Sequence, residues 1–316
     1  MLPSFARKLR EAGIVGINQR NARYLLPAND RSLYPLVDDK LRTKKLAQDA
    51  GIAVPELYNV ISTQHDVYNY DQALVGIDSF VIKPARGSGG EGIIVINSQR
   101  RERYQTIDGS YLTQDEIRYH TSRILSGIYS LGGRADAAIF EYRVCSHSIF
   151  DEVSYKGVPD IRVIVYFGVP VMAMVRLPTR SSYGKANLHQ GAIGAGVDML
   201  TGTTRAAVSK NQIVFEHPDT GHPVDGILIP HWEKLLLIAA RAYELTGLGY
   251  QGVDIVIDQD KGPLILELNA RPGLSIQLAN QRGLRGRLDF VEKNIQKEFS
   301  AEQRVELSKQ LASLNF

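Results

Sequence analysis

Two apolar runs in the last third of the chain, Gln251–Ile257 and Leu264–Leu268, are short and rich in Ile, Val and Leu. The polar turn 258–262 separates them, and this pattern predicts two strands of one hairpin. A second hairpin is predicted from Ile161–Phe167 and Val171–Leu177, which flank Gly168. Further strands are expected over Leu57–Ile61, Phe80–Lys83, Ile93–Ile96 and Ala138–Tyr142, and Asp108-Gly109 marks a tight turn. Helical periodicity is clearest over His231–Thr246, where Leu235, Leu236, Ile238, Ala239 and Ala242 share a face and Gly247 ends the run. Helices are also predicted over Pro3–Glu11, over Thr113–Ser130, and from a cap at Asp38 or Asp39 through Leu41, Leu46 and Ala47 to a stop at Gly51. Another helix fits within Ser62–Gly76. Asn18–Pro35 reads as irregular, and Thr179–Gly196 as a long glycine-rich loop of the kind used as a lid. From Leu288 onward, charge and apolar residues recur at helical spacing; two surface helices explain this, with a partner-binding helix as the alternative. Antiparallel strands mixed with helices make the fold class α+β rather than a doubly wound parallel sheet.

Composition narrows the class. The 316 residues suffice for two lobes or a few subdomains. With 44% hydrophobic and 22% charged residues, the chain looks like an ordinary soluble enzyme. A net charge of +3 does not argue for nucleic acid; anionic substrates and phosphates explain local basic clusters. Cys145 is the single cysteine, so no intramolecular disulfide or Cys-rich zinc site can form, and it reads as a small buried hydrophobe. No apolar run approaches the roughly 20 residues that span a bilayer. No signal core follows Arg7, Lys8 and Arg10, so the expectation is a cytoplasmic protein without membrane insertion.

Three groups of residues carry chemistry. Glu267 and Asn269 are two apart on one strand and share a face; the hairpin can bring Asp254 beside them. Oxygen-bearing side chains among apolar strand residues suit a hard cation such as Mg²⁺, although surface carboxylates before Pro272-Gly273 would look the same. Lys83 precedes the turn Gly87-Ser88-Gly89-Gly90-Glu91-Gly92, whose backbone N–H groups could approach phosphate. This is neither a P-loop nor a dinucleotide fingerprint, and it also reads as a plain tight turn. Arg162 opens one strand of a hairpin and Arg176 closes the other, so the pair could clamp phosphate or carboxylate. Ordinary solvated strand-end arginines are the bland alternative, and His189 in the loop is a weaker candidate.

Taken in order, the chain resembles the ATP-grasp superfamily. More narrowly, it is similar to the ribosomal-protein glutamate ligases and their alpha-L-glutamate ligase relatives. Lys40-Leu41 with Leu46-Ala47 and Gly51-Ile52-Ala53-Val54-Pro55 resembles the opening helix and its exit; Val81-Ile82-Lys83-Pro84 and Gly87–Gly92 resemble the phosphate-covering hairpin. Phe140-Glu141-Tyr142 resembles the adenine hinge, and Asp160-Ile161-Arg162 and Asn187-Leu188-His189 match two further motifs. Gly252-Val253-Asp254 and Glu267-Leu268-Asn269-Ala270-Arg271-Pro272-Gly273 resemble the metal-binding hairpin. The resemblance spans about residues 36 to 290.

It implies two α+β lobes that grip ATP between them, with a reduced N-terminal region over 1–39. An ATP-grasp domain would follow over 40–290 (nucleotide-covering subdomain 56–140, metal and substrate lobe 141–290), then a helical tail over 291–316. The implied nucleotide contacts are Lys40, Lys83, the loop Gly87, Ser88, Gly89, Gly90, Glu91 and Gly92, the hinge Glu141, Tyr142 and Arg143, and Asp160. Arg162, Arg176 and Asn187 would be catalytic. Asp254, Glu267 and Asn269 would hold two Mg²⁺, with Mn²⁺ an admissible substitute. Lys185, His189 and Arg271 would meet substrate.

The implied activity is an ATP- and Mg²⁺-dependent carboxylate–amine ligase that works through an acyl phosphate. It would add glutamate or another amino acid to a peptide or protein, with self-association as in relatives. A kinase stopping at phosphoryl transfer and a non-catalytic nucleotide-binding regulator are the alternatives. The chain departs from the family's pattern in three places. Only 39 residues precede Lys40, Lys185 and Gln190 stand where the glutamate ligases carry Arg, and 97–134 is long enough to be an added cover.

Overall fold

The computed structural model describes residues 5–87, 89–100 and 103–314. These form two compact units. Asp39–Lys45 and Val54–Cys145 make the smaller; the described residues up to Asp38, Leu46–Ala53, and those from Ser146 on make the larger.

Helix α1 spans Phe5–Glu11, so the described part of the expected first helix is helical; Pro3 and Ser4 lie outside the described residues. The stretch read as irregular, Asn18–Pro35, is a correction. It is a series of helical turns over Ile17–Ala28, including a π-helical turn at Arg20–Leu25, followed by a 3-10 turn at Arg31–Leu33. These turns are fixed by tertiary contacts rather than periodicity: Tyr24 and Leu25 are core residues, and Asn29 Nδ2 donates to Tyr250 O while its Oδ1 accepts from Tyr250 N. Helix α2 spans Lys40–Asp49, with Asp39 Oδ1 accepting from Leu41 N at 3.0 Å. Gly51, at φ +66°, takes the left-handed turn that stops it.

The smaller unit is a six-stranded antiparallel sheet. Its strands are β1 (Leu57–Ile61), β2 (Phe80–Pro84), β3 (Ile94–Arg100), β4 (Arg103–Thr106), β5 (Tyr111–Thr113) and β6 (Ala138–Tyr142), in the order β1-β6-β2-β3-β4-β5. Alternation puts Phe80, Ile82, Phe140 and Ile96 on one face, where they pack with Tyr70, Tyr104, Ile117 and Ile124. Tyr70 lies in the 3-10 segment Asp66–Leu74, where an ordinary helix was an option. Helix α3 spans Gln114–Leu125 and carries a Thr113–Glu116 capping box. It is shorter than the expected 113–130 because Gly127 turns away at φ +81°, so close to Arg134 O that a Cβ would sit 2.2 Å from it. The described part of 97–134 therefore contains the sheet edge and α3.

The larger unit is a seven-stranded antiparallel sheet with helices against it. Its strands are β7 (Asp160–Tyr166), β8 (Val169–Leu177), β9 (Ile193–Val197), β10 (Thr204–Ser209), β11 (Gln212–Val214), β12 (Tyr250–Asp258) and β13 (Gly262–Asn269), in the order β11-β10-β9-β8-β7-β12-β13. Both predicted hairpins are present. The loop expected over Thr179–Gly196 is shorter than read, because Ile193–Val197 is a fully buried strand paired with β8 and β10. Glycines hide it: a Cβ on Gly196 would lie 2.5 Å from Ala279 O.

Helix α4 (Trp232–Thr246) buries Leu235, Leu236, Ala239 and Ala242. Helices α5 (Ile276–Asn280), α6 (Arg285–Asn294) and α7 (Ala301–Ser313) follow. The last two were read as surface helices, but Leu288, Val291, Leu307 and Leu311 belong to the main core of this unit. Cys145, read as buried, is only half-buried, with its Sγ 3.9 Å from Arg143 O. No helix among the described residues is long and apolar enough to cross a membrane.

Candidate functional site

In the smaller unit, the strand alternation that sends Phe80, Ile82 and Phe140 into the core leaves Lys83 and Glu141 on the opposite face. Strand register places Lys83 opposite Ile139, two residues from Glu141 on β6. Lys83 Nζ reaches Glu141 Oε1 at 2.5 Å, and Lys44 Nζ lies 2.9 Å from Oε2. All three side chains are buried. Lys44 also donates to Pro55 O. Burial pushes the Glu141 carboxyl up, but the Lys83 and Lys44 ammonium groups outweigh it and the net direction is down. Burial depresses the Lys44 ammonium, against the pull of Glu141. The cluster holds two cations against one carboxylate, an excess of one positive charge. The Glu141 side chain is thus committed to lysines, which leaves only backbone at 141 for the hinge role the resemblance implies. Lys44 was not singled out from the sequence; its place one turn after Lys40 is the only signal that could have found it.

Lys40 Nζ donates to Gly87 O at 2.5 Å, so it ties down the start of the glycine-rich turn. Gly89, Gly90 and Gly92 have φ of +64°, +75° and +72°. A Cβ on Gly92 would fall 2.6 Å from the Tyr129 ring, and Gly92 O accepts from His120 Nε2 at 2.9 Å. Ser88 lies outside the described residues; Glu91 belongs to the same turn. Tyr142 N donates to Glu56 O, and Arg143 Nε is buried without a hydrogen-bond partner among the described residues.

In the larger unit, cross-strand register builds a charged row on one sheet face. Glu267 pairs with Asp254, Asp254 with Arg162, and Asp160 with Arg176; Asn269 follows two residues after Glu267. Arg162 grips Asp254 with both Nε (2.7 Å) and Nη2 (2.5 Å), and Arg176 grips Asp160 with Nε and Nη2 at 2.5 Å each. Arg176 Nη2 also reaches Asp254 Oδ2 at 2.8 Å, and Asn269 Nδ2 donates to the same oxygen at 3.1 Å. Two arginines and two aspartates thus form one neutral buried array. For Asp254, burial raises the carboxyl but Arg162 and Arg176 outweigh it, and the net direction is down. For Asp160, burial and the charge of Asp254 prevail over Arg176, and the direction is up. Asp160, expected to contact the nucleotide, has both carboxylate oxygens on Arg176.

Glu267 is half-buried and makes no hydrogen bond or ion pair among the described residues. Asp254 Oδ2 already accepts three bonds, whereas Oδ1 accepts one and keeps a lone pair. The Glu267 carboxylate, Asn269 Oδ1 and Asp254 Oδ1 are all oxygen donors on paired strands, a donor chemistry that suits a hard cation such as Mg²⁺. No group of three His, Cys, Asp or Glu side chains suited to a metal occurs among the described residues.

The remaining candidates lie around this row. Asn187 Oδ1 accepts from His189 N and starts the short turn Leu188–Gln190; Leu188 packs closely on Gly194, where a Cβ would lie 2.9 Å from its Cδ2. His189 Nε2 would lie 4.0 Å from a Cβ on Gly273, so this turn borders the segment that follows Asn269. Lys185 lies in the preceding loop, where Thr179 Oγ1 and Ser181 Oγ both donate to Gly191 O. Arg271 is exposed and stacks over Tyr34 at 5.0 Å. Buried Arg20, which the sequence did not flag, donates to Pro272 O at 2.7 Å and fixes the turn after Asn269.

A model of the sugar-transfer associated ATP-grasp family matches residues 19–293. Proteins named probable alpha-L-glutamate ligase are similar over most of the chain. That of Aliivibrio salmonicida (strain LFI1238) is 23% identical over 296 residues, 93% of this chain and 76% of the relative. That of Maridesulfovibrio salexigens is 26% identical over 260 residues, 82% of this chain and 64% of the relative. Among solved structures, ATP-grasp ligase PsnB complexed with minimal precursor is 17% identical, with a TM-score of 0.40, covering 78% of this chain and 56% of its own. D-alanine--D-alanine ligase from Bacillus anthracis complexed with ATP is 12% identical, with a TM-score of 0.46, over 89% of this chain and 67% of its own. The chain thus spans between 56% and 76% of the lengths of these four proteins.

Proposed function

The chain belongs to the sugar-transfer associated ATP-grasp family, and on that premise we propose that it is an ATP- and Mg²⁺-dependent ligase joining the carboxyl of one substrate to the amine of another. The observation that carries this reading is the neutral Arg162–Asp254–Arg176–Asp160 array beside uncommitted Glu267. A carboxylate is a poor acyl donor. In the proposed reaction its oxygen bonds to the γ-phosphorus of ATP as the bond to ADP breaks. The amine nitrogen then attacks the acyl carbon, phosphate leaves, and the amine gives up a proton. Such a transfer needs positioning and charge neutralisation more than covalent help from the protein.

Mg²⁺, held by Glu267, Asn269 and Asp254, would supply phosphate charge neutralisation and orientation. Asp254 stays ionised because Arg162 and Arg176 hold it so. Arg162 Nη1 makes no bond among the described residues, and its N–H groups can point at a phosphoryl oxygen. In the smaller unit, Lys83 and Lys40 would meet the nucleotide phosphates, the glycine turn would offer backbone N–H groups, and the excess charge of the Lys44–Glu141–Lys83 cluster suits an anion.

Relatives named probable alpha-L-glutamate ligase make glutamate the first amino acid to test, and a peptide amine the first acceptor. The test is ADP release with Mg²⁺-ATP, single amino acids and a peptide fraction. Release that needs both an amino acid and an amine supports the ligase. Release with a carboxylate alone, with an acyl or other phosphate product accumulating, would mark a kinase instead.

A further inference from the structure

On the face of the larger sheet that carries the charged row, β10 and the end of α5 border a separate pocket of about 500 Å³. Register sets its distance from the row. Arg176 pairs with Gly194, whereas Ala173, Val197 and Thr204 align three residues further along, about 10 Å at strand rise. The pocket is lined by Arg205, Arg282, Phe215, Asn280, Thr204 and Asp225, among others.

Arg205 and Arg282 are balanced there by Asp225 and the Arg205 partner Asp198, and the surplus of one positive charge comes from the buried Arg287 behind the wall. Arg205 is paired with Asp198 at 2.5 Å. The Arg282 side chain is half-buried and makes no hydrogen bond or ion pair among the described residues, whereas its backbone N donates to Gln277 O; it also lines a second pocket, of about 590 Å³, together with Arg285, Lys293, Glu11 and Asp289. Behind them lies Arg287, 5% exposed, whose Nη1 donates to Val171 O while Nε has no hydrogen-bond partner among the described residues. Burial, then the charges of Arg282 and Arg205, depress Arg287 to about 10. The Arg282 guanidinium, on the pocket wall, is available to an entering anion. Phe215, 64% exposed, adds an aromatic wall that nothing in this unit covers.

We propose that this pocket is a second binding site, distinct from the charged row, for a small molecule bearing a phosphate monoester next to a flat or apolar group. Arg282 and Arg205 take the dianion from two sides, a task that suits paired planar guanidinium groups. Phe215 takes the flat group by stacking. A phosphate monoester is preferred to a carboxylate because its three terminal oxygens can engage both Arg282 and Arg205 on the pocket wall.

The experiment is calorimetric titration of phenyl phosphate, and separately benzoate, into the full chain. Wild type is compared with Arg282→Gln, Arg205→Gln, Phe215→Ala and a remote control, Lys8→Gln. Arg282 has no partner to lose, so Arg282→Gln should melt like wild type, and thermal melts check this. The expected result is a single salt-sensitive site in wild type and in Lys8→Gln, weakened at least tenfold in Arg282→Gln and Arg205→Gln and severalfold in Phe215→Ala. Benzoate should bind at least tenfold more weakly than phenyl phosphate. No binding to wild type, binding unchanged in Arg282→Gln, or benzoate binding as tightly as phenyl phosphate would each overturn the proposal.

Discussion

The buried Lys44–Glu141–Lys83 cluster makes a quantitative prediction about stability. Glu141→Gln removes one charge but preserves shape. In the structure the carboxylate attracts ammonium groups at 2.5 and 2.9 Å, each worth about 6 kcal/mol at an effective dielectric of about 20. Most of that attraction is offset by the cost of burying the carboxylate, which the substitution recovers. What it leaves behind is two buried ammonium groups with no counter-charge, and stripping one partner from a buried pair costs about 3–5 kcal/mol. Lys44→Met should cost less, about 1–3 kcal/mol, because Lys83 still pairs with Glu141 in a neutral couple. In the double variant, Lys44→Met should recover part of the Glu141→Gln loss, since only one unpaired ammonium remains. Urea unfolding followed by far-ultraviolet circular dichroism, at pH 7 and fixed salt, measures all three. Glu141→Gln within about 0.5 kcal/mol of wild type, or purely additive losses in the double variant, would refute the reasoning, because either result means the ammonium groups are solvated rather than held by Glu141.

Three further outcomes follow from other parts of the molecule. Burial depresses His120 below its ordinary value, so the folded state keeps it neutral while the unfolded chain takes up a proton below about pH 6.5. The stability this gives is present above that pH and is lost as pH falls through the folded value. Melting temperatures should therefore drop more between pH 7.5 and 5 in wild type than in His120→Gln, and equal drops would contradict the assignment. Gly196→Ala should destabilise by about 1–3 kcal/mol or more in urea, because its Cβ would meet the backbone at Ala279 O and Asn280 Cα, 2.5 and 2.9 Å away. Glu267→Gln should leave stability within about 0.5 kcal/mol of wild type, yet raise the Mg²⁺ needed for half-maximal ADP release by about 10–100-fold; an unchanged Mg²⁺ requirement would remove Glu267 from the metal set.

The parts of the fold legible in the sequence are those where side-chain pattern and local geometry agree. β12 and β13 announce themselves because Ile, Val and Leu fill both strands around a polar turn, and α4 because its apolar stripe ends at Gly247. Other elements are specified by contacts that pattern cannot show. Ile193–Val197 looks like loop because Gly194 and Gly196 remove the alternating side chains; the reason is the close packing of Leu188 and α5 against them. The turns over Ile17–Ala28 have no helical stripe because their support is distributed, Tyr24 in the core and Arg20 on Pro272 O.

The charged row is visible as residue types, since Asp254, Glu267 and Asn269 stand out among apolar neighbours. Its wiring is not. Nothing in the spacing says that Arg176 would bridge Asp160 and Asp254, because that follows from the register of β7, β8 and β12. Lys44 is hidden for a related reason: a lysine in a helix is ordinarily a solvated residue, and only the burial of Glu141 across from it gives it a partner.

The measurement that most directly tests the central claim is steady-state ADP release with Mg²⁺-ATP and glutamate, with and without a peptide amine, in wild type and Asn269→Ala. The account predicts release that requires both the carboxylate and the amine in wild type, with one amide formed per ADP, and a loss of at least about 100-fold in Asn269→Ala. Repeating the assay with each of the other amino acids extends the search if glutamate is inactive. ADP release that ignores the amine, or turnover unaffected by Asn269→Ala, would contradict it.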